Sequence, residues 1–254
     1  MGPKIYMTFD IEEFDELPVS IEEQFKVSYR GTLKILELIK KWNIKSTFFI
    51  TANFAKRYPL LIKQISKKHE IALHGYSHSD VYSKMTYEEI EKRLSKAKEI
   101  IEKIINKKIR GFRAQRLQKI DFEILKKLRI KYDSSLHPTF IPWKYNNFFS
   151  KRKIHCIKGV KEIPLSVTPI LRFPIFWFAF RNMPLIYSKI CFKLCSINMG
   201  YVLLLFHPWE FVDLSKYNLP LYMKRNTGDK LIKKLNKFII KFKKYEFDKL
   251  ENLD

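Results

Sequence analysis

Apolar and polar positions alternate along the chain in two rhythms. Residues 4–9 form a short apolar run, and residues 21–41 place Leu33, Ile35, Leu36, Leu38 and Ile39 at helical spacing. The β-branched and aromatic run 46–50 predicts the next strand, 58–68 a helix, and 70–73 a third strand. Residues 86–105 predict a long amphipathic helix, opened by a capping box between Thr86 and Glu89. Further strands are expected at 111–113, 131–134, 163–165 and 201–206, with helices around 122–128 and at 229–244. Repeated βα units, with no internal repeat and no long linker, predict a parallel α/β sheet closed as a barrel, one domain over residues 1–254.

At 254 residues with 46% hydrophobic and 15% aromatic composition, the chain can bury a large core, which excludes a disordered protein. Its three cysteines exclude a disulfide framework and a four-cysteine zinc site. The 49 Lys+Arg against 26 Asp+Glu leave a net charge of +23, which favours an anionic partner without naming one. The lysines are spread along helices as on solvated faces, and without zinc-finger spacing or an RNA-recognition signature no nucleic acid is expected. The start Met1-Gly2-Pro3-Lys4-Ile5-Tyr6 lacks a secretory apolar stretch, and Arg172 and Arg181 interrupt the best membrane-span candidate. The expectation is a cytoplasmic protein without a transmembrane helix.

Residues that follow barrel strands converge on one face, where chemistry is assembled. Asp10 and Glu12 follow the first strand at i, i+2, on one side of an extended chain. His74 and His78 follow the third at i, i+4, while Arg113, Asp133 and His207 end later strands. One carboxylate with two histidines is a common ligand set for zinc or a similar divalent metal. Singly, the acids also read as a helix start, the His pair as a chance spacing, and His207 as a core histidine. Together they point to one site.

These residues resemble the motifs of the polysaccharide deacetylases, the NodB-homology group or carbohydrate esterase family four. Thr8-Phe9-Asp10-Ile11-Glu12 is similar to the first motif, in its D-x-D/E form, and His74-Gly75-Tyr76-Ser77-His78 to the second. Phe112-Arg113-Ala114, Tyr132-Asp133-Ser134-Ser135 and Leu205-Phe206-His207-Pro208-Trp209-Glu210 resemble the third to fifth, and the likeness runs in order over residues 4–246. The resemblance implies a distorted (β/α)7 TIM-like barrel and a hydrolase that removes the acetyl group of an N-acetylated sugar. It implies a divalent metal, zinc first with cobalt, nickel or manganese as substitutes, on Glu12, His74 and His78. Glu13 is set aside because it faces the other way. The implied roles are Asp10 as general base, Arg113 as its charge partner, His207 as general acid and Asp133 as the group orienting His207. Arg116 would supply an oxyanion N–H, and Trp209 and Arg181 would meet the substrate, with Trp143 and Trp177 as further stacking candidates.

Two departures carry expectations of their own. Gln115 stands where the third motif has proline, predicting a looser loop, and the bulky run 176–180 replaces glycines, predicting a reshaped cleft or a lipid-facing surface. The charge suits a phosphate- or lipid-linked sugar, and residues 171–187 read either as buried barrel wall or as a peripheral membrane contact. The alternatives are a hydrolase of a non-sugar, allantoin-like amide, and a non-catalytic basic glycan-binding barrel.

Overall fold

The computed structural model of the chain describes residues 3–253; Met1, Gly2 and Asp254 lie outside the described residues, and with them the first two positions of the leader reading. In chain order the first half contains β1 (Lys4–Ile11), α1 (Ile21–Lys41), β2 (Thr47–Ile50), α2 (Ala52–Arg57), α3 (Pro59–Ile65), β3 (Glu70–Leu73) and α4 (Tyr87–Ile105). There follow β4 (Gly111–Phe112), α5 (Phe122–Lys127), β5 (Tyr132–Asp133), β6 (Phe140–Ile141), β7 (Tyr145–Asn146), β8 (His155–Ile157) and β9 (Val160–Glu162). The last part contains α6 (Trp177–Asn182), α7 (Leu185–Met199), β10 (Tyr201–Phe206), α8 (Leu221–Lys224), α9 (Asp229–Phe242) and β11 (Phe247–Asp248).

Parallel strands run in the order β10-β1-β2-β3-β4-β5-β9, with β8 antiparallel on β9. This is the expected distorted (β/α)7 barrel. Among the described residues no ladder joins β9 to β10. Side chains bridge that seam, with Leu203 N donating to Ser166 Oγ and the Tyr201 hydroxyl to the Pro164 carbonyl.

Period two along the strands sorts the interior from the wall. On β1, Ile5, Met7, Phe9 and Ile11 join the large core beneath the helices, while Tyr6 faces an inner cluster with Phe49, Ala72, Tyr132, Leu203 and Leu205. The end of that cluster near the strand starts is closed by the C-terminal segment. β11 pairs with Ile5 and Tyr6, Leu250 N donates to Thr47 Oγ1, and Glu251 N donates to Glu70 Oε2. Burial pushes the Glu70 carboxyl up to about 7, against hydrogen bonds from Thr47 and Tyr132.

Three differences from the sequence reading have local causes. The helix expected at 58–68 forms as α3, opened by Pro59 at its first turn, but the short α2 before it, capped by Thr51, was not expected. The strand expected at 163–165 lies earlier, at β9, with Ile163 N still bonded to the Asp133 carbonyl. Helices α6 and α7 were not expected, since residues 173–197 are apolar on several faces and show no 3.6-residue rhythm. The Thr86–Glu89 capping box of α4 forms with both of its bonds.

Helix α1 packs against the turn that follows β10, and Gly31 makes the approach possible. A Cβ there would lie 1.8 Å from the Pro208 carbonyl oxygen. Gly31→Ala is therefore expected to lower stability by about 2 kcal/mol, although the same change in an open helix interior stabilises by about 1 kcal/mol. A thermal melt that rises instead would contradict this packing.

Candidate active site

The polar ends of the inward-facing rows meet at the C-terminal face of the barrel. Asp10 lies on β1 and Glu12 just after it, His74, Arg113 and His207 directly follow β3, β4 and β10, and His78 lies four residues after His74 in the loop. Asp10, Glu12, His74, His78 and Arg113 are all buried.

Every side-chain nitrogen of Arg113 has a hydrogen-bond partner. Its Nη1 donates to Asp10 Oδ1 at 2.7 Å and to Thr8 Oγ1 at 2.9 Å, its Nε to the Ser134 carbonyl, and its Nη2 to Ser134 Oγ. The guanidinium also lies 4.0 Å from the centre of the Phe49 ring. Burial works to raise the Asp10 carboxyl, but the Arg113 charge, with His74 and His207, outweighs it and holds Asp10 below the usual carboxylate range.

Both motif histidines are pinned at Nδ1. His74 Nδ1 lies 2.7 Å from the Arg113 carbonyl, which can only accept, so this nitrogen carries the proton. His78 Nδ1 lies 2.6 Å from Asp15 Oδ1, a carboxylate that His78 and Arg116 hold below its ordinary range against the effect of burial. The two Nε2 atoms are thereby turned onto one carboxylate, at 2.9 Å from Glu12 Oε2 and 3.3 Å from Glu12 Oε1. His74 Nε2 is also 3.8 Å from Asp10 Oδ2.

Two imidazole lone pairs facing carboxylate oxygens require positive charge between them. In the protein alone a proton serves: burial lowers the His78 ring's affinity, but Glu12 and Asp15 overcome it and lift the ring to about 9. A divalent cation meets the same need, and one carboxylate with two Nε2 donors, each imidazole anchored through Nδ1, is a donor set that zinc and its neighbours accept. Among the described residues no three His, Cys, Asp or Glu side chains stand ready as an open cation cage. Glu12 and the imidazoles are instead in direct contact, and admitting an ion requires the carboxylate to draw back. The chemistry of the residues fits the metal that the motifs imply.

Glu13 faces away from this cluster. It accepts from Thr51 Oγ1 at 2.9 Å, Ser77 Oγ at 2.6 Å and His78 N at 2.9 Å, and so fixes the loop that carries His78. Gly75 in that loop has φ +80°, and a Cβ there would meet Gln115 Oε1 at 2.5 Å.

His207 is held by Glu210, not by Asp133. Glu210 Oε1 accepts from His207 N at 2.8 Å and lies 3.3 Å from His207 Nδ1. Burial disfavours the charged ring, yet Glu210, Glu12 and Asp10 raise its proton affinity above the ordinary histidine value. Asp133, expected to orient His207, sits on the outer side of β5, where Ser135 Oγ donates to it at 2.6 Å. It is the register partner of Glu162; burial raises both carboxyls, and the neighbouring Asp133 raises Glu162 further. The cause is parity: Tyr132 and Ser134 point inward, so Asp133 points out.

Arg181 and Trp209 also differ from expectation. Arg181 is buried behind the site, with Nη1 donating to Glu210 Oε2 at 3.2 Å and Nη2 to the Tyr222 carbonyl at 3.0 Å. Its guanidinium packs against both the Trp177 and Trp209 rings, at 5.1 and 5.4 Å from their centres, so it supports Glu210 and does not face a substrate. Trp209 is stacked on Phe14 at 4.6 Å and on His207 at 5.2 Å and is 4% exposed, which leaves no open ring face for a sugar. Trp177, half-buried, stands edge-on to His207 at 5.4 Å, and Trp143 is fully exposed.

The third-motif loop is pinned, contrary to the expected looseness. Gln115 is buried, its Oε1 accepting from the Tyr82 hydroxyl at 2.8 Å and its Nε2 donating to the Asp80 carbonyl. Arg116 follows with φ 55° and its side chain on Asp15 at 2.8 Å. Glu13, Asp15 and Glu210 had been given no role from sequence. For Glu210 a signal existed, since it stands three residues after His207, the reach of a capping carboxylate.

Comparison with known proteins places this geometry. The curated relatives include a peptidoglycan-N-acetylmuramic acid deacetylase of Bacillus subtilis, 32% identical over 124 residues, which are 48% of this chain and 47% of that protein. A peptidoglycan deacetylase of Helicobacter pylori is 29% identical over 168 residues, 63% of this chain and 57% of that protein. The chain thus spans about half the length of these relatives. Among solved structures, Puue allantoinase matches with a TM-score of 0.65 and 17% identity, over 96% of this chain and 85% of that one. A model of the polysaccharide deacetylase family matches residues 2–129, half of the sequence, and the chain belongs to that family.

Proposed function

We propose that the chain is a metal-dependent N-deacetylase that hydrolyses the acetamide of an N-acetylated sugar carrying a phosphate or lipid group. The observation that carries this reading is the pair of Nδ1-anchored imidazoles turned onto Glu12 beside an Asp10 held ionised by Arg113. The B. subtilis relative's named substrate, an N-acetylated peptidoglycan sugar, supports the substrate class, and the net charge of +23 supports its anionic group.

Glu12, His74 and His78 would hold the divalent cation, zinc first, which supplies Lewis acidity toward the amide carbonyl and water. Asp10, ionised and fixed by Arg113, takes the proton of the attacking water. The Arg116 backbone N–H serves the oxyanion. His207, kept positive by Glu210, gives a proton to the departing sugar nitrogen, without which the amide would re-form. Trp177 walls one side of His207, and Arg181 balances the charge of Glu210.

Acetate release is to be measured on nucleotide-linked, lipid-linked and polymeric N-acetyl sugars, with allantoin as a non-sugar amide. The account expects release from a nucleotide- or lipid-linked sugar and a fall of about 10²–10⁴-fold in kcat for Asp10→Asn. Turnover of allantoin alone would favour the non-sugar reading, and glycan binding without acetate release would favour a binding barrel; either result overturns the proposal.

Glu210→Gln removes the charge that raises His207, so the imidazolium is lost at lower pH. The basic limb of the kcat profile should move down by about one pH unit, with kcat reduced by roughly tenfold or more. An unmoved limb in a folded variant would remove His207 from the acid role.

A further inference from the structure

The outer face of α7 has the make-up of a membrane-contacting helix. Toward the core, α7 presents Ser188, Cys191, Phe192 and Cys195, with Phe192 packed on Phe238 and Phe242 of α9 at 5.8 and 3.9 Å. Away from the core stand Ile186, Ile190, Leu194 and Ile197, exposed by 61, 51, 44 and 84%. At 100° per residue these four fall within an arc of about 80°, along a helix about 22 Å long. Lys193 lies at the edge of the stripe, about 20° outside it, and Lys189 about 60° outside it on the same side.

The stripe continues into the loop after β9. Ile170, Leu171 and Phe173 are exposed by 85, 61 and 49%; Phe173 meets Tyr187 at 6.5 Å, and the Tyr187 hydroxyl donates to the Pro174 carbonyl. This loop leads into Phe176 and Trp177, the wall beside His207. The apolar face is therefore joined to the rim of the site.

Charge decides what can cover it. From residue 163 to residue 209 the chain has no acidic residue. From 163 to 245 it has 14 Lys and Arg against Glu210, Asp213 and Asp229, and Glu210 is already buried against Arg181. Exposed Lys233, Lys237 and Lys241 on the neighbouring α9 extend the positive rim. A second copy of so basic a surface would be repelled. An anionic bilayer offers both complements, acyl chains for the isoleucines and headgroups for the lysines, whose stems can lie along the apolar stripe. No helix among the described residues is long and apolar enough to cross a membrane, so α7 would lie flat.

We infer that the chain docks on anionic membranes through α7 and the 170–173 loop. This does not depend on the proposed chemistry, because binding is read without turnover. The full chain is to be sedimented with phosphatidylcholine vesicles and with mixed phosphatidylcholine–phosphatidylglycerol vesicles. The mixed vesicles should bind it roughly tenfold or more tightly than the neutral ones. The triple variant Ile186→Ser, Ile190→Ser, Ile197→Ser should lose roughly tenfold or more of that affinity with an unchanged melt. Lys189→Glu with Lys193→Glu tests the headgroup contact separately and should weaken binding to the mixed vesicles only. Absence of vesicle binding, equal binding by the triple variant, or a wild-type dimer that the triple variant splits would each overturn the inference.

Discussion

The buried guanidinium of Arg113 is the constraint on which the rest of the site depends. Its charge meets Asp10 on β1, its side-chain donors reach Thr8 and Ser134, and its own carbonyl fixes the His74 tautomer. One residue therefore lowers the proton affinity of the Asp10 carboxyl and fixes the direction of an imidazole lone pair. A buried charge without its counter-charge costs about 3–5 kcal/mol, so changing either Arg113 or Asp10 lowers stability as well as altering the site.

Around that hub the barrel interior is layered. The C-terminal segment and Glu70 close the end near the strand starts, aromatic and aliphatic side chains fill the middle, and the ionisable groups occupy the far end. The outward faces of the same strands are committed to the helices, which makes the inward row the place where polar groups accumulate. His207 is tied to this frame from the other side, through Glu210, Arg181 and the close contact of Gly31 with Pro208. The aromatic run after β9 fills the wall beside His207 and then turns outward into α7, so site rim and outer surface are made from one continuous stretch of chain.

Much of this was legible in the sequence, for physical reasons that differ by residue. Period two on β1 was enough to separate Glu12 from Glu13, but the His74–His78 spacing would have sufficed only on a helical turn; the segment is a loop, and Gly75 and the bonds to Glu13 bring the rings together. The same parity, carried to β5, would have turned Asp133 outward and away from His207. Arg181 and Trp209 were read as substrate contacts because nothing local reveals that each packs against the other and against residues far along the chain. Helix α7 was invisible to periodicity because a face that is apolar and exposed looks, in sequence, like a face that is apolar and buried. The two-residue β11 and the plug after it are too short to leave any pattern.

The central claim is that Glu12, His74 and His78 jointly grip one divalent cation. Calorimetric titration of zinc into the metal-stripped chain, beside Glu12→Gln and Asp133→Asn, tests it most directly. The account predicts saturation at one equivalent for the parent and for Asp133→Asn, with the binding lost in Glu12→Gln. A Glu12→Gln chain that takes up zinc as the parent does would contradict it.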